Sequence, residues 1–331
     1  MRIAINGFGR IGRIFLRNIL TKPGITVLAI NDLSDTHTLA HLFKYDSVHR
    51  GFTGIVDFDD DHLYINGRKI KIIAEPDPER LPWKQLNIDL VIESTGKFTS
   101  GDGAAKHLTA GAKQVIISAP STDKSVPTVV LGVNDTAIDL RAGIISNASC
   151  TTNNVAVMVK ILDENWGIVN GYITTVHSMT GDQSLHDTPH KDLRRARAAS
   201  ASIIPTTTGA AKAITSIFQH LEGKLGGAGI RVPVLNGSLT DFTCILKIQP
   251  TVEEINLAFK NAAEGKLKNI LEYTEAPIVS ADIIGNTHSC IFDAQLTSIV
   301  GGLVKVVGWY DNEMGYASRL ADLVEKIYLQ K

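Results

Sequence analysis

Apolar and polar residues follow two patterns along the first half of the chain. Short β-branched runs predict buried strands, at residues 2–6, 25–32, 89–95, 114–120 and 143–149. Apolar positions at helical spacing predict helices, at residues 10–20 and 36–45 and near residues 102–110. The Asn66-Gly67 pair within residues 63–73 is a hairpin signal. This alternation predicts an α/β fold with a Rossmann-type, doubly wound parallel sheet.

The pattern changes near residue 150, where longer strands and separate helices follow. Strands are predicted at residues 171–178, 239–248 and 302–311, and helices at residues 151–165, 210–221, 251–265 and 315–329. Thr251 and Glu254 form a capping-box pattern at the start of one helix. We therefore expect a second, α+β domain on a mostly antiparallel sheet. The predicted domains are residues 1–149 with the C-terminal helix 315–331, and residues 150–314.

Residues 179–202 are polar and contain a basic run at 190–197. The stretch exceeds the usual loop length, so it is predicted to be functional or part of an interface.

Composition narrows the class of protein. The 331 residues include 44% apolar and 20% charged residues, enough for a substantial core. Lys and Arg total 33 against 34 acidic residues, a balance that gives no footprint for nucleic acid or an anionic membrane. The sparse, odd number of cysteines, three, favours a reducing compartment. No signal-peptide pattern and no apolar run long enough for a membrane span is found in the sequence. We expect a cytoplasmic protein without a membrane segment or a metal site.

The stretch 6–13 contains a Gly-x-Gly-x-x-Gly pattern between a predicted strand and a predicted helix. Gly7 would make the tight turn, Gly9 would let the backbone approach a pyrophosphate, and Gly12 would pack helix on strand. The candidate cofactor-binding residues here are Asn6, Gly7, Phe8, Gly9, Arg10, Ile11 and Gly12. Asp32 ends the next strand, where a carboxylate favours NAD over NADP by accepting from the ribose hydroxyls. The alternative is a structural glycine turn.

Cys150 lies among hydroxyl and amide residues between a predicted strand and a predicted helix. A helix N-terminus with a basic neighbour lowers the pKa of a thiol by one to several units, and its free N–H groups bind oxyanions. These features predict a nucleophile, although an inert cysteine in the capping region is the alternative. His177 ends a predicted strand and is a candidate base, or else a structural histidine.

Three threonines and a glycine lead into the helix predicted near residue 210, so Thr208 and Gly209 are candidates for an anion site. Arg195 and Arg231 suit bidentate recognition of phosphate. From the residues alone, surface or interface ion pairs explain the two arginines equally well.

The chain resembles the phosphorylating, NAD-preferring glyceraldehyde-3-phosphate dehydrogenases along its whole length. The motifs that carry the resemblance are INGFGRIGR, NDL, KYDSVH, ESTGKF, VIISAP, SNASCTTN, TTVHS, HKDLRRARAA, IIPTTTGAAKA, RVPV and WYDNEMGY, in that order. The resemblance implies that Cys150 is the nucleophile and His177 the base. It also implies a homotetramer in which residues 179–202 line the neighbouring subunit's cofactor site. Pro189 within that stretch is similar to the NAD-preferring members, in agreement with Asp32.

The resemblance further implies two anion sites and a set of cofactor contacts. Residues matching the site for inorganic phosphate are Ser149, Thr151, Thr208 and Gly209, and those matching the site for substrate phosphate are Thr180, Arg195 and Arg231. Residues matching cofactor contacts are Arg10, Ile11, Asp32, Ser118 and Asn312, the last at the nicotinamide carboxamide.

Four positions depart from the family pattern. Asn154 stands where many members have a second cysteine, so Cys150 has no disulfide partner there. Met179 and Met314 replace the usual residues of their motifs. Pro76, a further candidate cofactor-binding residue, stands where an arginine near the adenine is common. The departures bear on cofactor affinity rather than on the chemistry.

The expected activity is NAD-dependent oxidation and phosphorylation of D-glyceraldehyde 3-phosphate to 1,3-bisphosphoglycerate through a thiohemiacetal and a thioester on Cys150. The alternatives are an erythrose-4-phosphate dehydrogenase on the same scaffold, a non-phosphorylating aldehyde dehydrogenase, and a catalytically silent NAD-binding regulatory protein.

Overall fold

The computed structural model describes residues 1–330. Contacts within the chain define two units. The first comprises Met1–Val129, Asp135–Ala148 and the chain from Ala317 onward, and the second comprises Val130–Asn134 and Ser149–Tyr316. Each unit contains its own eight-stranded sheet.

The sheet of the first unit is mostly parallel. Its strands are β1 (Arg2–Asn6), β2 (Thr26–Asn31), β3 (Val56–Phe58), β4 (His62–Ile65), β5 (Arg68–Ile73), β6 (Leu90–Glu93), β7 (Gln114–Ile117) and β8 (Ile144–Ser146). They lie in the order β3-β4-β5-β2-β1-β6-β7-β8, parallel from β5 to β8. The predicted hairpin at Asn66-Gly67 joins β4 to β5, and both turn residues have positive φ. The doubly wound fold is confirmed.

Helices follow the strands of the first unit. They are α1 (Arg10–Ile19), α2 (Thr36–Lys44), α3 (Trp83–Leu86) and α4 (Gly101–Thr109). Asp35 and Ser100 cap α2 and α4 by accepting backbone N–H groups at positions 38 and 103. All four residues of β6 are buried, as expected for a parallel strand covered on both faces.

The sheet of the second unit is mostly antiparallel, as predicted. Its strands are β9 (Ile168–Ser178), β10 (Ile204–Thr206), β11 (Leu225–Val232), β12 (Ser238–Leu246), β13 (Leu271–Thr274), β14 (Cys290–Asp293), β15 (Ser298–Val300) and β16 (Leu303–Tyr310). The order is β10-β11-β9-β12-β16-β14-β13, with β15 also paired to β16. Among these pairs, β11 with β9 and β13 with β14 are parallel.

The helices of the second unit are α5 (Cys150–Trp166), α6 (Ala210–Ile217) and α7 (Val252–Glu264). The capping box of α7 is confirmed, since the Thr251 N–H donates to Glu254 Oε2 at 2.7 Å and the Glu254 N–H donates to Thr251 Oγ1 at 3.2 Å. The last helix, α8 (Met314–Leu329), begins in the second unit and continues in the first. There Lys22 Nζ pairs with Asp322 at 3.1 Å and Glu325 at 2.6 Å.

One helix boundary differs from the sequence-based prediction, and several elements were not predicted: helix α3 and strands β3, β10, β11, β13, β14 and β15. The helix expected near 210–221 is α6 followed by a short 3₁₀ turn at Gln219–Leu221. Strand β11 was not predicted, because its glycines obscure the pattern of a strand. Those glycines are required by close neighbours: a Cβ on Gly226 would approach the Tyr172 ring to 2.8 Å, and one on Gly227 the carbonyl oxygen of Ile173 to 3.1 Å.

None of the helices formed by residues 1–330 is long and apolar enough to cross a membrane. Cys150, Cys244 and Cys290 are all free thiols.

Candidate active site

A cleft opens at the carboxyl ends of the central strands of the first unit. It is lined by Asn6, Gly7, Gly9, Asn31, Asp32, Leu33, Glu75, Pro76, Ser94, Thr95, Lys97 and Phe98. Parallel sheets bind ligands at this edge. Five of the predicted cofactor residues line it: Asn6, Gly7, Gly9, Asp32 and Pro76. The residues after β6, Thr95 to Phe98, were not predicted as lining, although their place after a parallel strand is a usable signal.

The glycine pattern fits a dinucleotide. Gly7 has φ of +92°, and a Cβ there would lie 2.7 Å from the Thr95 nitrogen, so the turn requires glycine. A Cβ on Gly12 would overlap the carbonyl oxygen of Gly7, whereas a Cβ on Gly9 would meet open space. Gly9 precedes α1 without providing a side-chain cap. The first turn of α1 therefore presents backbone N–H groups suited to a pyrophosphate.

Asp32 already accepts two backbone hydrogen bonds. The Phe8 N–H donates to Oδ2 at 2.8 Å and the Ser34 N–H donates to Oδ1 at 3.0 Å. These bonds fix the carboxylate at the cleft, and each oxygen has a further lone pair for a ribose hydroxyl. The Phe8 side chain is buried in the core, and its N–H is occupied by Asp32. Phe8 therefore shapes the site from beneath the cleft.

The other predicted cofactor residues of this unit lie outside the residues that line the cleft. Arg10 forms a bidentate ion pair with Asp46, at 2.5 and 3.1 Å, and this pairing lowers the pKa of Asp46 to about 2 although burial opposes it. Ile11 occupies the first turn of α1, and Ser118 follows β7 with its N–H bonded to the carbonyl oxygen of Glu93 at 2.9 Å.

A buried polar network supports the floor of the cleft. Glu93 Oε2 accepts from Asn6 Nδ2 at 2.6 Å, and Glu93 Oε1 accepts from the Thr95 N–H at 2.8 Å. His107 Nε2 lies 3.0 Å from Glu93 Oε2, and the Trp83 indole N–H donates to His107 Nδ1 at 3.0 Å. An indole N–H only donates, so Nε2 carries the His107 proton and donates to Glu93.

In the second unit, Cys150 is the first residue of α5. The Ser149 side chain caps this helix by accepting from the Thr152 N–H at 3.1 Å. Strand β8 ends shortly before this helix, and Ala148 lies between the two elements. Ala148 has a positive φ of 54°, and this conformation turns the chain sharply into α5. Cys150 Sγ lies 3.5 Å from His177 Nε2, so the structure brings the predicted nucleophile and base into contact.

The pKa of the Cys150 thiol differs from the sequence-based expectation. Burial raises it, while the Arg231 charge and hydrogen bonds from Thr151 lower it by a smaller amount. Burial and then the Arg231 charge lower the pKa of His177 to about 4, so its imidazole is neutral at pH 7. A neutral imidazole at 3.5 Å is a proton acceptor for the thiol. Activation therefore depends on His177 as well as on the helix N-terminus.

Arg231 and His177 face each other in the register of the parallel strands β11 and β9. Arg231 Nη1 lies 2.7 Å from His177 Nδ1 and donates to the carbonyl oxygen of Ser178 at 3.1 Å. His177 Nδ1 is also 2.7 Å from that carbonyl oxygen. Only one of these two contacts of Nδ1 can be a hydrogen bond, since a guanidinium only donates. The role of His177 as a base requires the tautomer in which Nδ1 donates to Ser178 and the lone pair of Nε2 points toward Cys150.

The predicted residues of the substrate-phosphate site converge on an acidic side chain. Asp182 contacts the Thr180 hydroxyl and accepts from Arg195 Nη1 at 2.6 Å. Although burial opposes it, the Thr180 hydroxyl and the Arg231 and Arg195 charges lower the pKa of Asp182. Arg195 also donates to Thr206 Oγ1 at 3.0 Å. Asp182 was not identified from the sequence, since the pattern of residues 179–202 is that of a polar loop.

The residues matching the site for inorganic phosphate lie at two helix starts. Thr208 Oγ1 accepts the Ala210 N–H at 3.2 Å, and Gly209 precedes α6 with open space where a Cβ would be. Ser149 and Thr151 lie at the start of α5. The Thr151 hydroxyl is bonded to the Tyr310 hydroxyl at 2.9 Å, so the backbone N–H of Thr151 is the group suited to an anion.

Tyr310 is a further site residue that the sequence did not reveal. Its hydroxyl joins Thr151 Oγ1 to Thr175 Oγ1, at 2.9 and 3.0 Å, and its ring meets the His177 imidazole edge-on at 6.0 Å. Tyr310 thus braces the start of α5 against β9. Its position at the end of a buried strand gave no chemical signal.

Asn312 lies just after β16 and is buried. Its Oδ1 accepts from Ser178, Gly237 and Ser238. Within residues 1–330, no group of three or more His, Cys, Asp or Glu side chains is arranged to hold a metal ion.

Comparisons with known proteins identify the family of the chain. A family model described as "Glyceraldehyde 3-phosphate dehydrogenase, NAD binding domain" matches residues 1–101, and one described as the C-terminal domain of the same enzyme matches residues 149–312. Glyceraldehyde-3-phosphate dehydrogenase of Thermotoga maritima is 56% identical over 98% of each chain. The enzymes named alike from Geobacillus stearothermophilus and Mycobacterium tuberculosis are 54% and 53% identical, over 98–99% of this chain and 97–98% of theirs.

Proposed function

Because the chain belongs to the glyceraldehyde-3-phosphate dehydrogenase family, we propose that it converts D-glyceraldehyde 3-phosphate, NAD and inorganic phosphate to 1,3-bisphosphoglycerate and NADH in glycolysis. The observation that carries the chemistry is the 3.5 Å contact between Cys150 Sγ and His177 Nε2 at the start of α5. An NAD-dependent oxidation by a cysteine needs this pair and a dinucleotide cleft.

The cofactor residues of the first unit would hold the adenosine and pyrophosphate of NAD. Asp32 would accept from the ribose hydroxyls, and the first turn of α1 after Gly9 would donate to the phosphates. Asn312 of the second unit would hold the nicotinamide carboxamide. NAD, when bound, supplies the acceptor for the hydride that the substrate carbon loses.

Cys150 begins the reaction on the aldehyde. His177 Nε2 takes the thiol proton as the sulfur attacks the carbonyl carbon and returns it to the former carbonyl oxygen, which gives a thiohemiacetal and leaves the imidazole neutral again. The Cys150 N–H and His177 stabilise the oxygen of that adduct. As the carbon is oxidised, His177 accepts the hydroxyl proton and a thioester remains on Cys150. The pKa of His177 at about 4 keeps it available as a base at pH 7.

Phosphate then displaces the acyl group from sulfur. Two anion sites are needed, because one phosphate belongs to the substrate and the other is the attacking nucleophile. We assign the first to Thr180, Arg195 and Arg231, and the second to Ser149, Thr151, Thr208 and Gly209. Arg195 and Arg231 carry two positive charges beside the single negative charge of Asp182, and this excess of positive charge supports an anion site there.

The same proposal extends to organisation and location. Residues 1–149 with 315–331 form the NAD-binding domain, and residues 150–314 form the catalytic domain. The protein is a homotetramer in which residues 179–202 line the neighbouring subunit's cofactor site. We place it in the cytoplasm, which the three free thiols support.

The test is the initial rate of NADH formation with and without phosphate. We expect a rate that requires D-glyceraldehyde 3-phosphate, NAD and phosphate, and that is lost in Cys150→Ser while NAD binding remains. Full turnover without phosphate would indicate a non-phosphorylating aldehyde dehydrogenase. A preference for erythrose 4-phosphate as substrate would indicate an erythrose-4-phosphate dehydrogenase. No NADH under any condition would indicate a silent NAD-binding protein.

A further inference from the structure

The side-chain amide of Asn312 is held by three hydrogen bonds that end on one atom. Its Oδ1 accepts from the Ser178 hydroxyl at 2.8 Å, the Ser238 hydroxyl at 2.9 Å and the Gly237 N–H at 3.2 Å. Ser178 and Ser238 are at most 1% exposed and Asn312 is 6% exposed, so the cluster is shielded from water.

The donors determine which way the amide faces. The Gly237 N–H only donates, so the atom it meets must be the carbonyl oxygen of Asn312. The Ser238 hydroxyl accepts the Ser178 N–H at 3.1 Å, which leaves its own proton for Asn312. Rotating the amide by 180° would place its NH₂ group against a backbone donor and leave the buried hydroxyls short of an acceptor. The NH₂ group therefore faces away from the two serines and Gly237.

Ser178 also connects this amide to the reacting residues. Its carbonyl oxygen is 2.7 Å from His177 Nδ1 and 3.1 Å from Arg231 Nη1. The same residue thus orients the imidazole through its backbone and the Asn312 amide through its side chain. Ser178 directly follows His177 at the end of β9, so both functions depend on one strand end.

We propose that Ser178 and Ser238 are positioning residues that hold the Asn312 NH₂ group as the hydrogen-bond donor to the carboxamide oxygen of the nicotinamide. The proposal rests on the assignment of Asn312 to the nicotinamide in the proposed function. A primary amide offers a donor and an acceptor at nearly the same place, so an unfixed amide would present the wrong group in part of the molecules. The two hydroxyls remove that ambiguity before the cofactor binds.

The experiment compares the dissociation constants of NAD and ADP-ribose by calorimetry. ADP-ribose lacks the nicotinamide, so the ratio of the two constants reports the contact with that ring alone. For the Ser178→Ala/Ser238→Ala double variant we expect NAD to bind about 10-fold more weakly, with ADP-ribose binding unchanged. Ser289→Ala is the matched control, because Ser289 is also a buried serine but its hydroxyl has no hydrogen-bond partner. It should change neither constant.

Asn312→Asp separates the inference from its premise. Aspartate accepts the same three hydrogen bonds but has no NH₂ group, so NAD binding should weaken and ADP-ribose binding should not. If Asn312→Asp weakens NAD selectively and the double serine variant does not, the positioning role is overturned. If neither variant changes the ratio, Asn312 does not contact the nicotinamide, and both the assignment and the inference fail. The single Ser238→Ala variant supplies the same comparison if the double variant unfolds.

Discussion

His177→Asn is the substitution that tests the activation of Cys150. In the native site the imidazole nitrogen lies 3.5 Å from the sulfur and is neutral at pH 7, since its pKa is about 4. Asparagine is smaller than histidine and accepts no proton in this range, but its amide N–H can replace the bond from Nδ1 to the carbonyl oxygen of Ser178. The substitution therefore removes the base and retains a polar side chain beside Ser178 and Arg231.

The size of the effect follows from the surroundings of the thiol. An ordinary cysteine of pKa ~8.5 is only ~3% ionised at pH 7. Burial raises the pKa of Cys150, so without His177 the ionised fraction is smaller still. Because no imidazole then takes the proton as the sulfur attacks, we expect alkylation of Cys150 by iodoacetamide at pH 7 to slow about 10²-fold or more, the lower end of the contribution of a general base. Turnover should fall about 10²–10⁴-fold, the usual contribution of a general base.

The assay follows alkylation by mass spectrometry, because the modified peptide identifies Cys150 among the three cysteines. Cys244 and Cys290 are buried and should react slowly in both proteins. NAD binding by His177→Asn should match that of the native protein, which separates loss of the base from loss of the fold. Alkylation of Cys150 at the native rate in His177→Asn would refute the role of the imidazole.

Three further predictions concern the cofactor preference, the electrostatics of the base and the support of the cleft. Asp32→Gly should shift the ratio of kcat/KM for NAD over NADP by at least about 10-fold toward NADP, and an unchanged ratio contradicts the ribose role. Arg231→Gln should raise the pKa of His177 above about 4 in an NMR titration, because a nearby positive charge disfavours the imidazolium. Burial should still keep this pKa below 6.5, and an unchanged pKa would exclude the Arg231 charge as a cause. His107→Leu should lower the free energy of unfolding by about 1–3 kcal/mol, since it removes a neutral buried hydrogen-bond partner of Glu93, and denaturant unfolding beside His107→Gln checks this.

The first unit was largely predictable because its strands are buried on both faces. Parallel strands such as β6 appear as short apolar runs, and the Asn-Gly pair at residues 66–67 marks the hairpin between β4 and β5. Strand β11 was not predictable by the same signal. Its glycines serve the close approach of Tyr172 and Ile173 from the neighbouring strand, which is a tertiary requirement.

The site was predictable where a residue type is itself reactive or conformationally special. Cys150, His177 and the glycines before α1 are of this kind. Asp182, Tyr310 and Ser238 were not found, because aspartate in a polar loop, tyrosine on a strand and serine at a strand start are common everywhere. Their importance comes from contacts between segments far apart in the chain, such as the bond from Tyr310 to Thr151 at 2.9 Å.

The pKa of Cys150 shows the limit of local reasoning. The start of a helix favours the thiolate, as the sequence indicated, and the charge of Arg231 favours it too, as only the structure shows. Burial raises the pKa more than these two features lower it, and the burial of one residue is a property of the fold that has no local signal in the sequence.

The most direct test of the account is a rapid-quench measurement of NADH formation with D-glyceraldehyde 3-phosphate and NAD but without phosphate. We predict a burst of one NADH for each Cys150, a phosphoglyceroyl group on the Cys150 peptide in the mass spectrum, and release of that group when phosphate is added. Sustained NADH formation without phosphate, or a burst that leaves Cys150 unmodified, would contradict the covalent mechanism.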